Sequence, residues 1–168
     1  MDVRQSMYLL VDRVAEGMAL DEAALGLDLQ PDTYGNHAAD FLCLPGLWSK
    51  LDEARLFALV DWLLDHGTDG ARLLSRTLSD NTYADAGENP IRRHLLSRSP
   101  LPDLRPALIG AFRGRRLTLA RAFVARGADP SVLGDWVEDD LVTPATLEVH
   151  YQASEQEQQV TLALVLRR

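Results

Sequence analysis

Two side chains that could share a proton, His37 and Asp40, lie three residues apart in the stretch NHAADFLC at 36–43. On a helix this spacing brings both to one face, where an imidazole and a carboxylate could act together in general acid–base catalysis. The same spacing is typical of a histidine that contacts the backbone near a helix start, and we favour this second interpretation. A small hydrolase built on the pair is therefore the least favoured hypothesis.

The remaining candidates for acid–base or nucleophilic chemistry have weaker settings. His66 adjoins Asp65 in the last turn of an apparent helix, where a positive charge suits the helix dipole. His94 and His150 have no evident partner in the sequence. The only cysteine, Cys43, stands among apolar neighbours that disfavour a reactive thiolate. We predict structural roles for His66 and Cys43.

Motifs that hold a cofactor or a metal do not occur in the sequence. It contains no Gly-x-x-x-x-Gly-Lys phosphate loop, no Gly-x-Gly-x-x-Gly, no His-Glu-x-x-His and no Cys-x-x-Cys. We therefore predict a protein that is not an enzyme, with no catalytic residues, no metal site and no cofactor.

Arginines are concentrated in residues 91–126, which contain nine arginines and one acid in a chain of net charge −8. The block could follow a nucleic-acid backbone, although the acidic remainder of the chain would repel a polyanion. It could contact an acidic protein partner, or it could pair internally. We hold the last two alternatives open. The internal pairs would join Arg115, Arg116, Arg121 and Arg126 to Asp61, Asp65, Glu138, Asp139 and Asp140.

A second surface candidate is the run GDWVEDD at 134–140, in which Trp136 stands among carboxylates. An exposed tryptophan within acids would anchor a basic protein partner, because aromatic residues dominate interface energetics and charge speeds the encounter. Trp136 could instead fill a gap between helices, and this alternative stays open. The residues predicted to bind a partner are Trp136, Asp135, Glu138, Asp139, Asp140, Arg115 and Arg116.

The elements that position these residues belong to a globular chain of 168 residues, 46% hydrophobic and 25% charged. No apolar run approaches the roughly eighteen residues that a membrane span needs, and the N-terminus lacks the pattern of a signal peptide. Sixteen arginines against one lysine are typical of a GC-rich bacterial genome. With a single cysteine, we expect a cytoplasmic protein that contacts no membrane.

Two amphipathic stretches, LVDWLLDHGTDG at 59–70 and LARAFVARGADP at 119–130, end on the same kind of stop signal. Gly67 and Gly127 stand where a helix needs a C-terminal residue with positive φ, which glycine adopts without steric cost. In each stretch an aspartate follows the glycine by two residues. The matched spacing indicates a repeated helical unit.

The segment before the second stretch completes such a unit. Pro106 and the residues 107–112 predict a short helix, and Gly114 predicts its end before a longer helix begins. On Ala111, Gly114, Leu119, Phe123, Val124 and the Gly-Ala-Asp-Pro run at 127–130, this segment resembles the ankyrin repeat family. Thr143-Pro144 is similar to the Thr-Pro that opens an ankyrin unit. The units depart from the family in their irregular spacing and in lacking its full Thr-Pro-Leu-His opening.

The resemblance implies an all-α fold, a short solenoid of ankyrin-like helical hairpins with irregular insertions, in a single domain over 1–168. We expect N-terminal cap helices in 1–30, at 6–17 and 20–26. An extra helix is expected at 69–80. Repeat-like units occupy 35–70, 87–130 and 143–168, the last favoured as helices over a β-hairpin. Loops are predicted at 28–36, 45–50, 80–90 and 97–105.

Function follows from the resemblance, because ankyrin-like arrays bind other proteins and carry no chemistry. We expect a non-catalytic protein-binding module, and more specifically an immunity protein that binds and neutralises a basic toxin or effector. The alternative is a nucleic-acid-binding protein that uses the arginines of 91–126, which we disfavour.

Overall fold

The computed structural model describes residues 2–78, 89–114, 116–129 and 131–133. Every regular element in these ranges is a helix, which confirms the predicted helical class for this part of the chain. The ankyrin type of solenoid stays a prediction. The segment 143–168, for which helices and a hairpin were both considered, lies outside the described residues.

The contacts divide the chain into two compact units. Unit 1 comprises Met1–Asp80 and Glu88–Pro102, and unit 2 comprises Asn81–Gly87 and Asp103–Arg168. The helices described in unit 1 are α1 (Val3–Ala15), α2 (Leu20–Ala23), α3 (Ala38–Leu42), α4 (Pro45–Trp48), α5 (Glu53–Asp65), α6 (Gly70–Arg76) and α7 (Pro90–Ser97). Those described in unit 2 are α8 (Arg105–Arg113) and α9 (Leu117–Ala125).

Four of the helices described in unit 1 start at a side chain that accepts hydrogen bonds from the backbone. The carboxylates of Asp2, Asp52 and Asp69 accept from the first-turn N–H groups of α1, α5 and α6, and the amide oxygen of Asn89 does the same for α7. Such caps satisfy N–H groups that have no partner within the helix and contribute about 1 kcal/mol each. The cap at Asp2 also explains why α1 begins at Val3, three residues earlier than predicted.

Unit 1 packs around the apolar faces of α1, α5, α6 and α7. Helix α1 contacts α2, α3 and α4, while α6 contacts α3 and α7, and α7 contacts α5. The largest fully buried side chains of this core are Met7, Leu10, Leu42, Leu47, Leu56, Leu59, Leu73, Leu74, Ile91 and Leu95. Each removes an apolar side chain from water, which contributes roughly 1.5–3 kcal/mol before entropy is counted.

Unit 2 contains a helical hairpin, α8 and α9, in which Phe112 and Phe123 are almost fully buried. The chain turns at Gly114, as predicted. The two helices have nine residues each, so the prediction of a short helix followed by a longer one is wrong. Helix α8 is longer than predicted, and the Asp103 carboxylate just before it accepts a hydrogen bond from the Arg105 N–H at 2.9 Å.

The two predicted stop signals have the same hydrogen-bond pattern. Gly67 and Gly127 have φ of 92° and 101°. After α5, the N–H groups of residues 67 and 68 donate to the carbonyls of residues 64 and 63. After α9, those of 127 and 128 donate to the carbonyls of 124 and 123. This is the Schellman pattern, and the prediction of glycine caps is confirmed.

One predicted loop, at 45–50, is wrong because α4 occupies Pro45–Trp48. Proline favours the first turn of a helix, where its missing N–H would have no partner, so Pro45 starts a helix here. The predicted helices at 20–26 and 69–80 exist as the shorter α2 and α6. Among the described residues, no helix has both the length and the apolar character that crossing a membrane requires.

Candidate functional site

Asp40, the acidic member of the predicted acid–base pair, contacts two arginines. Asp40 Oδ1 accepts from Arg72 Nε at 3.0 Å, and Oδ2 accepts from Arg72 Nη2 at 2.5 Å. Arg76 Nε lies 3.4 Å from Oδ2, and the backbone N–H of His37 donates to the same oxygen at 3.3 Å. This agrees with the interpretation in which the pair belongs to a helix start.

The pKa of Asp40 reflects this setting. Partial burial opposes ionisation, but the hydrogen bonds from Arg72 and His37 and the charge of Arg76 together hold the pKa below its usual range. The carboxylate therefore stays ionised in its pair with Arg72, whose own pKa is raised by Asp40. A group held as an anion by two cations is a poor proton acceptor in catalysis.

Arg72 also fixes the end of a long loop. Its Nη2 donates to the carbonyl of Gly35 at 2.9 Å. At the other end, Arg13 Nη1 donates to the carbonyls of Ala23 and Leu25 at 2.8 and 3.1 Å. Between them, the N–H of Asp28 donates to the hydroxyl of buried Ser6. Residues 20–36, which begin with the short helix α2 and are called the acidic loop below, are thus fastened to α1 and α6 at three places.

A tight turn closes the acidic loop. The Asp32 carboxylate accepts from the N–H groups of Tyr34 and Asn36 and from the Asn36 side-chain amide, each at 2.8 Å. These bonds, the side-chain bond from Asn36 first, lower the pKa of Asp32. Gly35 adopts a φ of 77° to complete the turn. The turn presents Tyr34 to solvent with 89% of its surface exposed.

The acidic loop carries only negative charge. It contains Asp21, Glu22, Asp28 and Asp32, and residues 14–49 include neither lysine nor arginine. None of these four carboxylates forms an ion pair within the described part of the chain. Leu25, in the same loop, is 70% exposed. Leu25 and Tyr34 are thus exposed in the same segment as the four carboxylates.

A cleft of about 420 Å³ lies between the acidic loop and the C-terminal end of α5. Its walls include Asp28, Gln30, His37, Trp62 and His66. The Trp62 and His66 rings stack with centroids 3.9 Å apart. Each ring is held by a hydrogen bond.

The first of these bonds runs from Trp62 Nε1 to Asp21 Oδ1 at 2.7 Å, and the second from His66 Nδ1 to the Trp62 carbonyl, also at 2.7 Å. The structural role predicted for His66 therefore includes orienting an aromatic wall.

A second cluster connects α5 to α7. His94 stacks on Phe57 with centroids 4.2 Å apart, and its Nε2 lies 2.8 Å from Asp61 Oδ1. Arg98 forms an ion pair with the same oxygen, and Arg93 forms one with Glu53. Burial lowers the pKa of His94.

This cluster corrects one prediction. His94 has a partner, Asp61, because the packing of α7 on α5 brings the two side chains together. The acid at 61 pairs with Arg98 and His94 within unit 1. Of its four predicted partners in the arginine block, Arg115, Arg116, Arg121 and Arg126, the side chains of Arg115 and Arg121 lie outside the described residues.

Most of the residues predicted to bind a partner lie outside the described residues: Arg115, Asp135, Trp136, Glu138, Asp139 and Asp140. Arg116 is described, half-buried at the start of α9, with its N–H donating to the Ala111 carbonyl at 2.8 Å. Sequence reasoning missed the acidic loop, which was treated as part of the cap region. Two signals could have found it, namely the absence of cations over 14–49 and the aromatic Tyr34 in a turn sequence.

Cys43 is buried, as predicted, at 5% exposure. No group of three or more His, Cys, Asp or Glu residues able to hold a metal ion occurs among the described residues.

Comparison with protein-family models, with curated proteins and with solved structures gives no match. The resemblance to ankyrin repeats therefore stays a prediction from the sequence. The function has to be argued from the chain's own surfaces.

Proposed function

We propose that the chain is a non-catalytic protein-binding module whose acidic loop contacts a basic protein. The observation that carries the proposal is that the loop is fastened at three places and still exposes Tyr34 and Leu25 in a segment whose four carboxylates form no ion pair among the described residues. Exposing large apolar side chains to water is unfavourable for a free protein, and it is typical of a surface that a partner covers.

The fastening makes the loop suitable for tight binding. A loop that is ordered before the encounter loses less conformational entropy when it binds, so more of the contact energy remains as affinity. Tyrosine is a frequent anchor in interfaces because it buries a large ring at low entropic cost. The carboxylates around it would speed association with a basic partner and reject an acidic one.

We further propose that the partner is a basic toxin or effector and that this chain is its immunity protein. A chain of net charge −8 with a rigid acidic face can cover a basic active site and exclude its anionic substrate. Such masking requires shape and charge, and it requires no chemistry from the binding protein.

Recognition of nucleic acid by the arginine block has less support. Within 91–98, Arg92 is 8% exposed, and Arg93 and Arg98 contact the carboxylates of Glu53 and Asp61. Arginines in such contacts offer less charge to a phosphate backbone. The hydrolase hypothesis is weakened by the engagement of Asp40 with Arg72.

The proposal is tested by capture on immobilised protein from a lysate of the source organism. Wild type is compared with the double variant Leu25→Ala/Tyr34→Ala and with Leu101→Ala, a control at a leucine of 39% exposure outside the loop. We expect a protein that binds wild type and the control, and whose affinity for the double variant is lower by about 30-fold or more. Equal capture by all three, or capture of RNA alone, would contradict the proposal.

Once the captured partner is purified, its toxicity on expression in a host cell is measured with and without this chain. Relief of toxicity by wild type, and loss of that relief in the double variant, supports the immunity role. Binding without any relief of toxicity would support the protein-binding module and contradict the immunity role.

A further inference from the structure

We propose that the cleft between the acidic loop and α5 binds the guanidinium group of an arginine side chain supplied by the partner protein. The inference rests on the proposed function, because it identifies what part of a basic partner the site would take. The cleft volume of about 420 Å³ is in the range of small-ligand sites, roughly 300–1,000 Å³.

The aromatic wall is the first argument. A guanidinium stacks favourably on aromatic faces, and tryptophan is the strongest of these. Trp62 lines the cleft with its ring stacked on His66, and its Nε1–H is bound to Asp21. The wall is thus fixed before a ligand arrives, which reduces the entropic cost of binding.

The polar groups of the cleft are acceptors suited to N–H donors. Asp28 Oδ1 accepts one weak bond, from the Gln30 N–H at 3.2 Å, and Oδ2 has no partner among the described residues. Because His66 Nδ1 donates to the Trp62 carbonyl, the Nε2 of the neutral ring carries a lone pair. A guanidinium, with five N–H donors in a planar fork, can address a carboxylate and an imidazole together.

The charges around the cleft favour a cation over an anion. The lining residues include Asp28 and neither lysine nor arginine. Asp21 adds a second carboxylate at the edge of Trp62. Lysine fits less well than arginine, because an ammonium cannot form a planar fork or stack.

The test is a titration followed by ¹H–¹⁵N NMR with acetyl-Gly-Arg-Gly-amide as the probe. The matched control peptide contains citrulline, which keeps the shape of arginine and lacks its charge. We expect the Trp62 indole N–H and the amides of Gly67 and Thr68 to shift with the arginine peptide. The citrulline peptide should bind about tenfold more weakly or not at all.

Two variants test the contribution of the cleft carboxylate. Asp28→Asn should weaken binding of the arginine peptide severalfold, and Asp65→Asn, at an exposed acid of α5 that does not line the cleft, should leave it nearly unchanged. The proposal is overturned by absent shifts, by shifts of equal size with citrulline, or by equal effects of the two variants.

Failure here is distinguishable from failure of the proposed function. If the arginine peptide does not bind but the partner is still captured through Leu25 and Tyr34, the arginine site is wrong and the module stands. If the peptide binds at the cleft and no partner depends on the loop, the site stands and the proposed function is wrong.

Discussion

The acidic loop and helix α7 each carry one sign of charge, and the fold treats them in opposite ways. Arg93 of α7 and Arg98 just after it lie against Glu53 and Asp61 of α5. The four carboxylates of the acidic loop have no cation beside them among the described residues, and the loop is held by hydrogen bonds to its backbone.

This difference separates charge that takes part in packing from charge that has no counter-ion in the fold. Both runs are conspicuous in the sequence, and the arginines are the more conspicuous of the two. Helix α7 uses its cations to contact a neighbouring helix, while the acidic loop is held through its main chain and its carboxylates have no cation beside them among the described residues. Asp40 is the exception on the acidic side, since Arg72 and Arg76 pair with it.

The largest effect is expected from removing Arg72, the bidentate partner of Asp40. Arg72→Ala leaves the Asp40 side chain, only 10% exposed, without its bidentate partner and frees Gly35. We expect the free energy of unfolding, measured in urea, to fall by about 2–3 kcal/mol, since the largely buried Asp40 carboxylate then keeps only its longer contacts with Arg76 and the His37 N–H. The matched control is Arg76→Ala, a more exposed partner at longer distance, with an expected loss of about 0.5 kcal/mol. Similar losses in both variants would contradict the claim that Arg72 is the main stabilising partner of Asp40.

A smaller effect is expected from Arg98→Ala, on the basic side of the comparison. Asp61 keeps His94 as a partner and is partly exposed, so its charge remains solvated. We expect a loss of about 1 kcal/mol in the same measurement. A loss as large as that of Arg72→Ala would show that the Arg98–Asp61 pair stabilises the fold as much as the Arg72–Asp40 pair does.

The stability near neutral pH should depend on His94. Burial lowers the pKa of this imidazole. The folded state therefore binds a proton less readily than the unfolded chain. Its contribution is complete above the unfolded pKa near 6.5 and is lost as pH falls through the window below that value.

The measurement is the free energy of unfolding of wild type and His94→Gln between pH 7.5 and 5. Wild type should lose more stability than the variant over this range. Asp40 does not interfere, because its lowered pKa places the loss of its contribution at much more acidic pH. A wild type that becomes more stable relative to His94→Gln as pH falls would reverse the sign and contradict the account.

The smallest effect is expected for Glu53 and Arg93, an exposed pair between α5 and α7. A double-mutant cycle with Glu53→Ala and Arg93→Ala should give a coupling energy of about 0.2–0.5 kcal/mol, which decreases in high salt. A coupling above about 1 kcal/mol would place this surface pair among the main supports of the helix contact.

Local features of the fold could be predicted from the sequence, because they depend on neighbouring residues. Gly67 and Gly127 end their helices in the predicted way, since a positive φ next to an apolar helix face is a local signal. The error at Pro45 has the same origin, because proline signals either a loop or a first helical turn, and only packing decides.

The candidate site could not be predicted, because it is assembled from distant segments. The cleft joins residues 24–31 to residues 62–68, and nothing in either stretch indicates the other. The partner of Asp61 likewise depends on how α7 packs on α5. Exposure of Leu25 and Tyr34 follows from where Arg13 and Arg72 fasten the loop, which is a tertiary property.

The most direct test of the central claim is the dissociation constant of the captured partner for two charge variants, measured by calorimetry at low and at physiological salt. The double variant Glu22→Gln/Asp28→Asn removes two carboxylates of the acidic loop, and Arg93→Gln/Arg98→Gln removes two cations near α7. We expect the acidic-loop variant to bind about tenfold more weakly at low salt, with a smaller difference in higher salt. The arginine variant should stay within about twofold of wild type. Weaker binding by the arginine variant, with the acidic-loop variant unchanged, would contradict the assignment of the binding surface to the acidic loop.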